Sequence, residues 1–131
     1  MSFFSRKPLI VVHSDRMHAD DLFAAAMLME LCGGKARLVR SVDDAVIAKA
    51  DYVADIGRIY DPEKNRFDHH QGGVGARPDG ISYAASGLVW KKFGAQIAGS
   101  EEAAALIDKK LVESLDAHDT GDVSPKPIFG D

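Results

Sequence analysis

Apolar and polar positions along this chain switch between a strand-like and a helix-like period. Residues 8–13 (Pro8-Leu9-Ile10-Val11-Val12-His13) are a short, continuous, β-branched run, which predicts a buried strand. Residues 18–32 predict a helix that is apolar on nearly every face, through Leu22, Phe23, Met27, Leu28 and Leu31, and therefore well buried. Asp20 and Asp21 fall in its first turn, where the helix dipole favours carboxylates, and Gly33-Gly34 stops it. A second strand is expected over 36–40, a short helix over 42–49, a third strand over 51–56 followed by Gly57, and a shorter fourth strand over 66–69. Gly72, Gly73, Gly75, Pro78 and Gly80 predict a mobile loop. Two helices follow, over about 83–93 and 101–115. The later one opens after Ser100, a good N-cap, and sets Ala104, Ile107, Leu111 and Leu115 on one stripe. From Thr120 to Asp131, with Pro125 and Pro127, the chain reads as irregular.

Strand–helix alternation of this kind predicts an α/β fold with a mainly parallel sheet flanked by helices. Ligands of such sheets bind beyond the carboxyl ends of the strands. His13, Asp55 and the run Asp68-His69-His70 all terminate expected strands, so the acids and imidazoles recur where this fold places a site.

At 131 residues the chain fits one domain. Its longest apolar stretch, Leu22 to Met29, is far below the roughly 20 residues needed to span a bilayer, so no membrane role is expected. No basic segment followed by an apolar one opens the chain as a secretory signal would. The single Cys32 excludes an internal disulfide and reads as helix core, and the expected compartment is the cytoplasm. The net charge of −4 offers no global basic field for nucleic acid, so a phosphorylated substrate must be met by local Arg, Lys and metal charge.

The candidate chemistry lies in two segments. His13, His18, Asp20 and Asp21 follow the first strand, and Asp68, His69 and His70 follow the fourth. Imidazole and carboxylate suit manganese, iron(II) or zinc, which makes metal-assisted hydrolysis the leading expectation. Asp68 is suited to hydrogen-bonding an imidazole and orienting it. Plainer readings stand beside these. His13 taken singly is a packed core histidine, Asp20 and Asp21 favour the helix dipole, and Asp55 before Gly57 is a turn acid. Asp116 and Asp119 near the end of the last helix oppose its dipole, which invites a functional explanation, and Asp116 is the better ligand candidate. The glycine-rich loop lacks the phosphate-loop pattern and its Lys, but Arg77 on it is a candidate phosphate contact. Trp90, at helical spacing with Val89 and Phe93, reads as core.

Four ordered segments carry a family resemblance. They are His13-Ser14-Asp15-Arg16-Met17-His18-Ala19-Asp20-Asp21, Val53-Ala54-Asp55-Ile56-Gly57, the run from Tyr60 to Gln71 containing Asp68-His69-His70, and Leu115-Asp116-Ala117-His118-Asp119. Tyr83 to Trp90 fits as well. Over roughly residues 9–120 the chain resembles the melanocyte-proliferating-gene-one family, also labelled metal-dependent protein hydrolase and related to the DHH phosphoesterases.

The resemblance implies two divalent ions, manganese first with zinc, iron or magnesium as alternatives. One would be held by His13, His18 and Asp55, the other by Asp20, Asp55, His69 and Asp116, with Asp55 bridging. Asp21 would be a cap or an orienting group. His70 would contact the scissile phosphate or its leaving group, with Asp68 orienting an imidazole. The implied function is hydrolysis of phosphodiesters of single-stranded RNA or DNA, or of short oligonucleotides. Members of the family carry a second, C-terminal domain that closes over substrate. The expectation is therefore a single DHH-like metal-binding domain over 1–131 without that domain, as a truncated chain or a natural minimal version, with a homo-oligomer or a separate C-terminal domain as partner. The alternative class is a non-catalytic metal- or nucleotide-binding domain that works through a partner.

Overall fold

The computed structural model describes residues 6–121. Five strands form one sheet in the order β2-β1-β3-β5-β4. They are β1 (Leu9–Val12), β2 (Arg37–Arg40), β3 (Tyr52–Ala54), β4 (Tyr60–Asp61) and β5 (Arg66–Phe67). β1 pairs in parallel with both β2 and β3, and β3 in parallel with β5, so the expected α/β fold with a mainly parallel sheet is the one observed. Only β4 runs antiparallel. It was not expected, because a two-residue strand is too short to show a period. It pairs back on β5 through a turn of 3-10 helix (Pro62–Lys64) ended by Asn65 in the left-handed region at φ 57°.

The alternating side chains of β1 explain why it sits near the middle of the sheet. Ile10 and Val12 enter the larger core with Ala54, Phe67, Leu28, Leu88, Trp90 and Val112. Val11 points the other way, into a smaller cluster with Val53, Ala50 and, from α2 (Asp44–Lys49), Val46 and Ile47. Burial on both faces is what a continuous apolar run in a parallel sheet requires. Helices α1 (Ala19–Leu31) and α3 (Ala85–Ala98) pack on each other over the larger core. Next, α4 (Glu101–Ile107) passes through a π-helical turn (Asp108–Val112) into α5 (Glu113–Thr120). The helices expected over about 83–93 and 101–115 thus run on to Ala98 and Thr120, the second by way of the π-helical turn. No helix among the described residues is long and apolar enough to cross a membrane. The expected irregular stretch from Thr120 onward lies almost wholly outside the described residues; Thr120 itself is the last residue of α5.

The start of α3 is held by acids from elsewhere. Its N-cap is Ala84, which has no side chain to satisfy the first N–H groups. Asp20 of α1 accepts the N–H of Ala85 at 3.1 Å and of Ser86 at 2.7 Å. Asp116 of α5 accepts the Gly87 N–H at 3.0 Å and the Ser86 hydroxyl at 3.1 Å. Two carboxylates at one helix N-terminus are favoured by its dipole and tie α1, α3 and α5 together. Gly87 makes this approach possible: a Cβ there would lie 1.8 Å from an Asp116 carboxylate oxygen. Gly87→Ala should therefore destabilise the protein by about 1–3 kcal/mol through forced displacement in a packed core. Thermal unfolding reads this directly, and an unchanged midpoint would mean that Asp116 does not occupy this position.

Candidate metal centre

The strand order reverses direction at β1, whose two neighbours are β2 and β3. His13 directly follows β1 and Asp55 directly follows β3, so the two emerge side by side at the carboxyl edge. Asp55 stands in the left-handed region at φ 61°, uncommon for a residue with a side chain, while its N–H still continues the ladder to the Phe67 carbonyl at 3.0 Å. The turn aims its carboxylate across the edge. One oxygen lies 3.4 Å from His13 Nε2 and the other 3.1 Å from His69 Nε2.

Two groups of donors form on either side of Asp55. On one side His13 Nε2 contacts the Asp21 carboxylate closely, and His18 Nδ1 lies 3.8 Å from the same oxygen. His13 and Asp21 are buried, whereas the His18 side chain is exposed. On the other side His69 Nε2 lies 3.0 Å from Asp119 and 3.5 Å from Asp20. In each of the groups His13–His18–Asp21 and Asp20–His69–Asp119, one donor atom per residue lies within 4.8 Å of the others. His70 joins Asp55, Asp68 and His69 in a third such group but is half open to solvent. Its Nδ1 is 2.6 Å from Asp68 Oδ1, and its Nε2 faces Asp55 at 3.6 Å. Asp68 is itself fixed through its second oxygen, which accepts the Arg58 N–H at 2.6 Å. A pocket of about 450 Å³ opens over His13, His18, Asp55, Asp68, His69, His70 and Asp119, with Asp15, Ile56 and Arg58 completing its wall.

The electrostatics follow from the crowding of acids. Burial alone would lower the His69 pKa, but hydrogen bonds with Asp119, Asp20 and Asp55 outweigh it and raise it to about 12. Burial would raise the Asp20 carboxyl, but His69 and the Ser86 N–H hold it below its usual value. For Asp55 burial prevails over His69 and raises the carboxyl. Around these acids the described residues supply imidazoles rather than Lys or Arg, so the arrangement favours an added cation. Buried His13 Nδ1 and Asp21 Oδ1 have no hydrogen-bond partner among the described residues, a further sign of a polar centre not fully satisfied by protein groups.

Two residues expected at the site are placed elsewhere. Asp116 is fully buried against Arg77, 2.6 Å away, and against Ser86 and Gly87. Burial raises its carboxyl to about 6 against the pull of Arg77. Asp119, one helical turn later, reaches His69 instead. Both acids lie in α5, three residues apart and so adjacent on its surface, and spacing alone could not choose between them. Arg77 is likewise withdrawn from any phosphate. Its guanidinium donates to Asp108 at 2.6 and 3.1 Å and to Asp116 at 2.6 Å, and lies 4.6 Å over the Tyr83 ring. The glycine-rich segment expected to be mobile is pinned by this clasp and by an Arg77–Ile81 backbone bond. Asp21 is the other difference: expected as a cap or orienting group, it does accept the His18 N–H at 3.0 Å, yet the same oxygen faces His13.

A metal ligand must give up its proton, and His69 keeps its own up to about 12. Manganese uptake near neutral pH should therefore release protons, and the apparent affinity should rise with pH. Titration calorimetry in buffers of different ionisation enthalpy measures this, and uptake without proton release would remove His69 from the ligand set. In metal-free protein the sign is the reverse for stability: the contribution of the His69 imidazolium is complete below its ordinary 6.5 and fades as pH climbs toward about 12. Asp119→Ala should weaken manganese binding at least about tenfold.

The comparisons with known proteins agree with the family resemblance. The model of MYG1_exonuc, described as "Uncharacterised protein family (UPF0160)", matches residues 9–127. The chain is 33% identical over 132 residues to "MYG1 protein C27H6.8" of Caenorhabditis elegans, which covers 86% of this chain and 39% of that protein. It is 34% identical over 115 residues to "MYG1 protein" of Dictyostelium discoideum, covering 81% and 35%. With "MYG1 exonuclease" of Homo sapiens the identity is 32% over 134 residues, covering 87% and 36%. The chain thus spans between 35% and 39% of the length of these relatives. No solved structure matches it. With a family model running across nearly all of its residues, the chain belongs to the MYG1 family.

Proposed function

We propose that this chain is a metal-dependent phosphoesterase domain that hydrolyses phosphodiesters of single-stranded RNA or DNA, or of short oligonucleotides. The observation that carries the reading is Asp55, whose two oxygens face two separate His–Asp groups. Support also comes from the relative named an exonuclease and from the resemblance to the DHH phosphoesterases. The donor set fits divalent ions, manganese first. His13, His18 and Asp21 would hold one; Asp20, His69 and Asp119 the other; Asp55 would serve both. Ions held there supply the positive charge that activates water and steadies phosphoryl oxygens.

The remaining work falls to the chain's own side chains. Asp68 accepts from His70 Nδ1 and fixes the ring. The opposite nitrogen, Nε2, then points into the pocket, where it can meet a phosphate oxygen or the departing oxygen. Asp20 links this chemistry to the fold, since the carboxylate near His69 also holds the first turn of α3.

The test is turnover of a model phosphodiester and of a short oligoribonucleotide with manganese. His69→Ala and Asp55→Ala should abolish it. His70→Ala should lower kcat by about a hundredfold or more while leaving bound manganese unchanged. Stoichiometric manganese with no hydrolysis of either substrate would replace this reading with a non-catalytic binding domain.

A further inference from the structure

With Arg77 buried, the pocket still needs a group for substrate charge. Arg6 is paired with Asp51, Arg40 with the carbonyls of Ser14 and Asp15, and Arg66 with the Ala50 and Lys64 carbonyls. Arg58 differs from these. It is exposed, it lines the site pocket, and its guanidinium has no partner among the described residues. Among the described residues no other Arg or Lys lines that pocket.

The backbone at Arg58 is also unusual. Its φ is 56°, the left-handed region that glycine or asparagine enters more readily than arginine. Asp68 holds it there: one carboxylate oxygen accepts the Arg58 N–H while the other fixes His70. A single buried acid therefore sets the direction of both residues on the pocket wall. Strained positions fixed in this way gather at functional sites.

Resting on the function proposed above, we propose that Arg58 binds the substrate phosphate next to the scissile one, so that the site prefers oligonucleotides to single phosphate esters. The scissile phosphate would lie over the His–Asp groups. The guanidinium on the wall is left for a neighbouring phosphate, whose paired oxygens suit its planar fork. A mononucleotide ester has no such second phosphate.

Arg58→Gly tests this, because it removes the guanidinium, retains the N–H to Asp68 and relieves the positive φ. Its thermal midpoint should not fall. Fluorescence anisotropy with manganese would compare a labelled, phosphorothioate-linked oligoribonucleotide with a labelled mononucleotide. The preference for the oligonucleotide should shrink about tenfold or more in Arg58→Gly, and Arg58→Lys should restore part of it. A preference that stays within about twofold of wild type, or wild-type protein that does not prefer the oligonucleotide, overturns the assignment. Wild-type protein that prefers the oligonucleotide yet fails to hydrolyse its unmodified phosphodiester counterpart with manganese overturns the hydrolase reading and leaves Arg58 in place.

Discussion

Asp20 accepts the first two N–H groups of α3 while one of its oxygens lies 3.5 Å from His69 Nε2. Fold and site therefore share an atom. The carboxylate is fully buried, and its charge is balanced by a helix N-terminus on one side and an imidazole on the other. Asp116 repeats the pattern a few ångströms along the same helix start, with Arg77 in place of the imidazole. This is why α1, α3 and α5 cannot be positioned independently of the His–Asp groups they carry. It also explains the demand for glycine at position 87, where a methyl group would displace the acid.

The architecture was legible because its strands are short apolar runs with chemistry at their carboxyl ends. His13, Asp55, His69 and His70 could be placed at one edge from that pattern, since a parallel sheet brings strand ends together whatever their separation in sequence. Side-chain direction was not legible. Asp116 and Asp119 differ by one turn of helix, and only the packing of α5 against α3 decides that the first faces Ser86 and the second His69. Arg77 misled for a related reason. A basic residue among glycines reads as mobile and available, and nothing local announces that Asp108, thirty-one residues later, will bind it. Asp21 could have been found from its spacing to His18, which sets a carboxylate and an imidazole on one face of a first turn.

The centre is built largely from charges that oppose one another. Asp20, Asp21, Asp55 and Asp119 approach the same few imidazoles, three of them deeply buried. Buried acids with so few basic neighbours are unfavourable unless a cation joins them. Rigid strand ends, a positive φ at Asp55 and a helix clamped at its start keep the acids from relaxing apart. What the fold holds together against repulsion is then available to bind positive charge.

The π-helical turn from Asp108 to Val112 has a consequence for how α5 is read. Such a turn accommodates one residue more than a regular helix would, usually as an insertion that the helix absorbs instead of looping out. Each residue of a helix advances the face by about 100°. Deleting one residue from that wide turn would leave a smoother helix in which every side chain downstream has rotated, so that Asp119 no longer looks toward His69. The local irregularity works as a phase correction, and the aim of the final helix depends on its being kept.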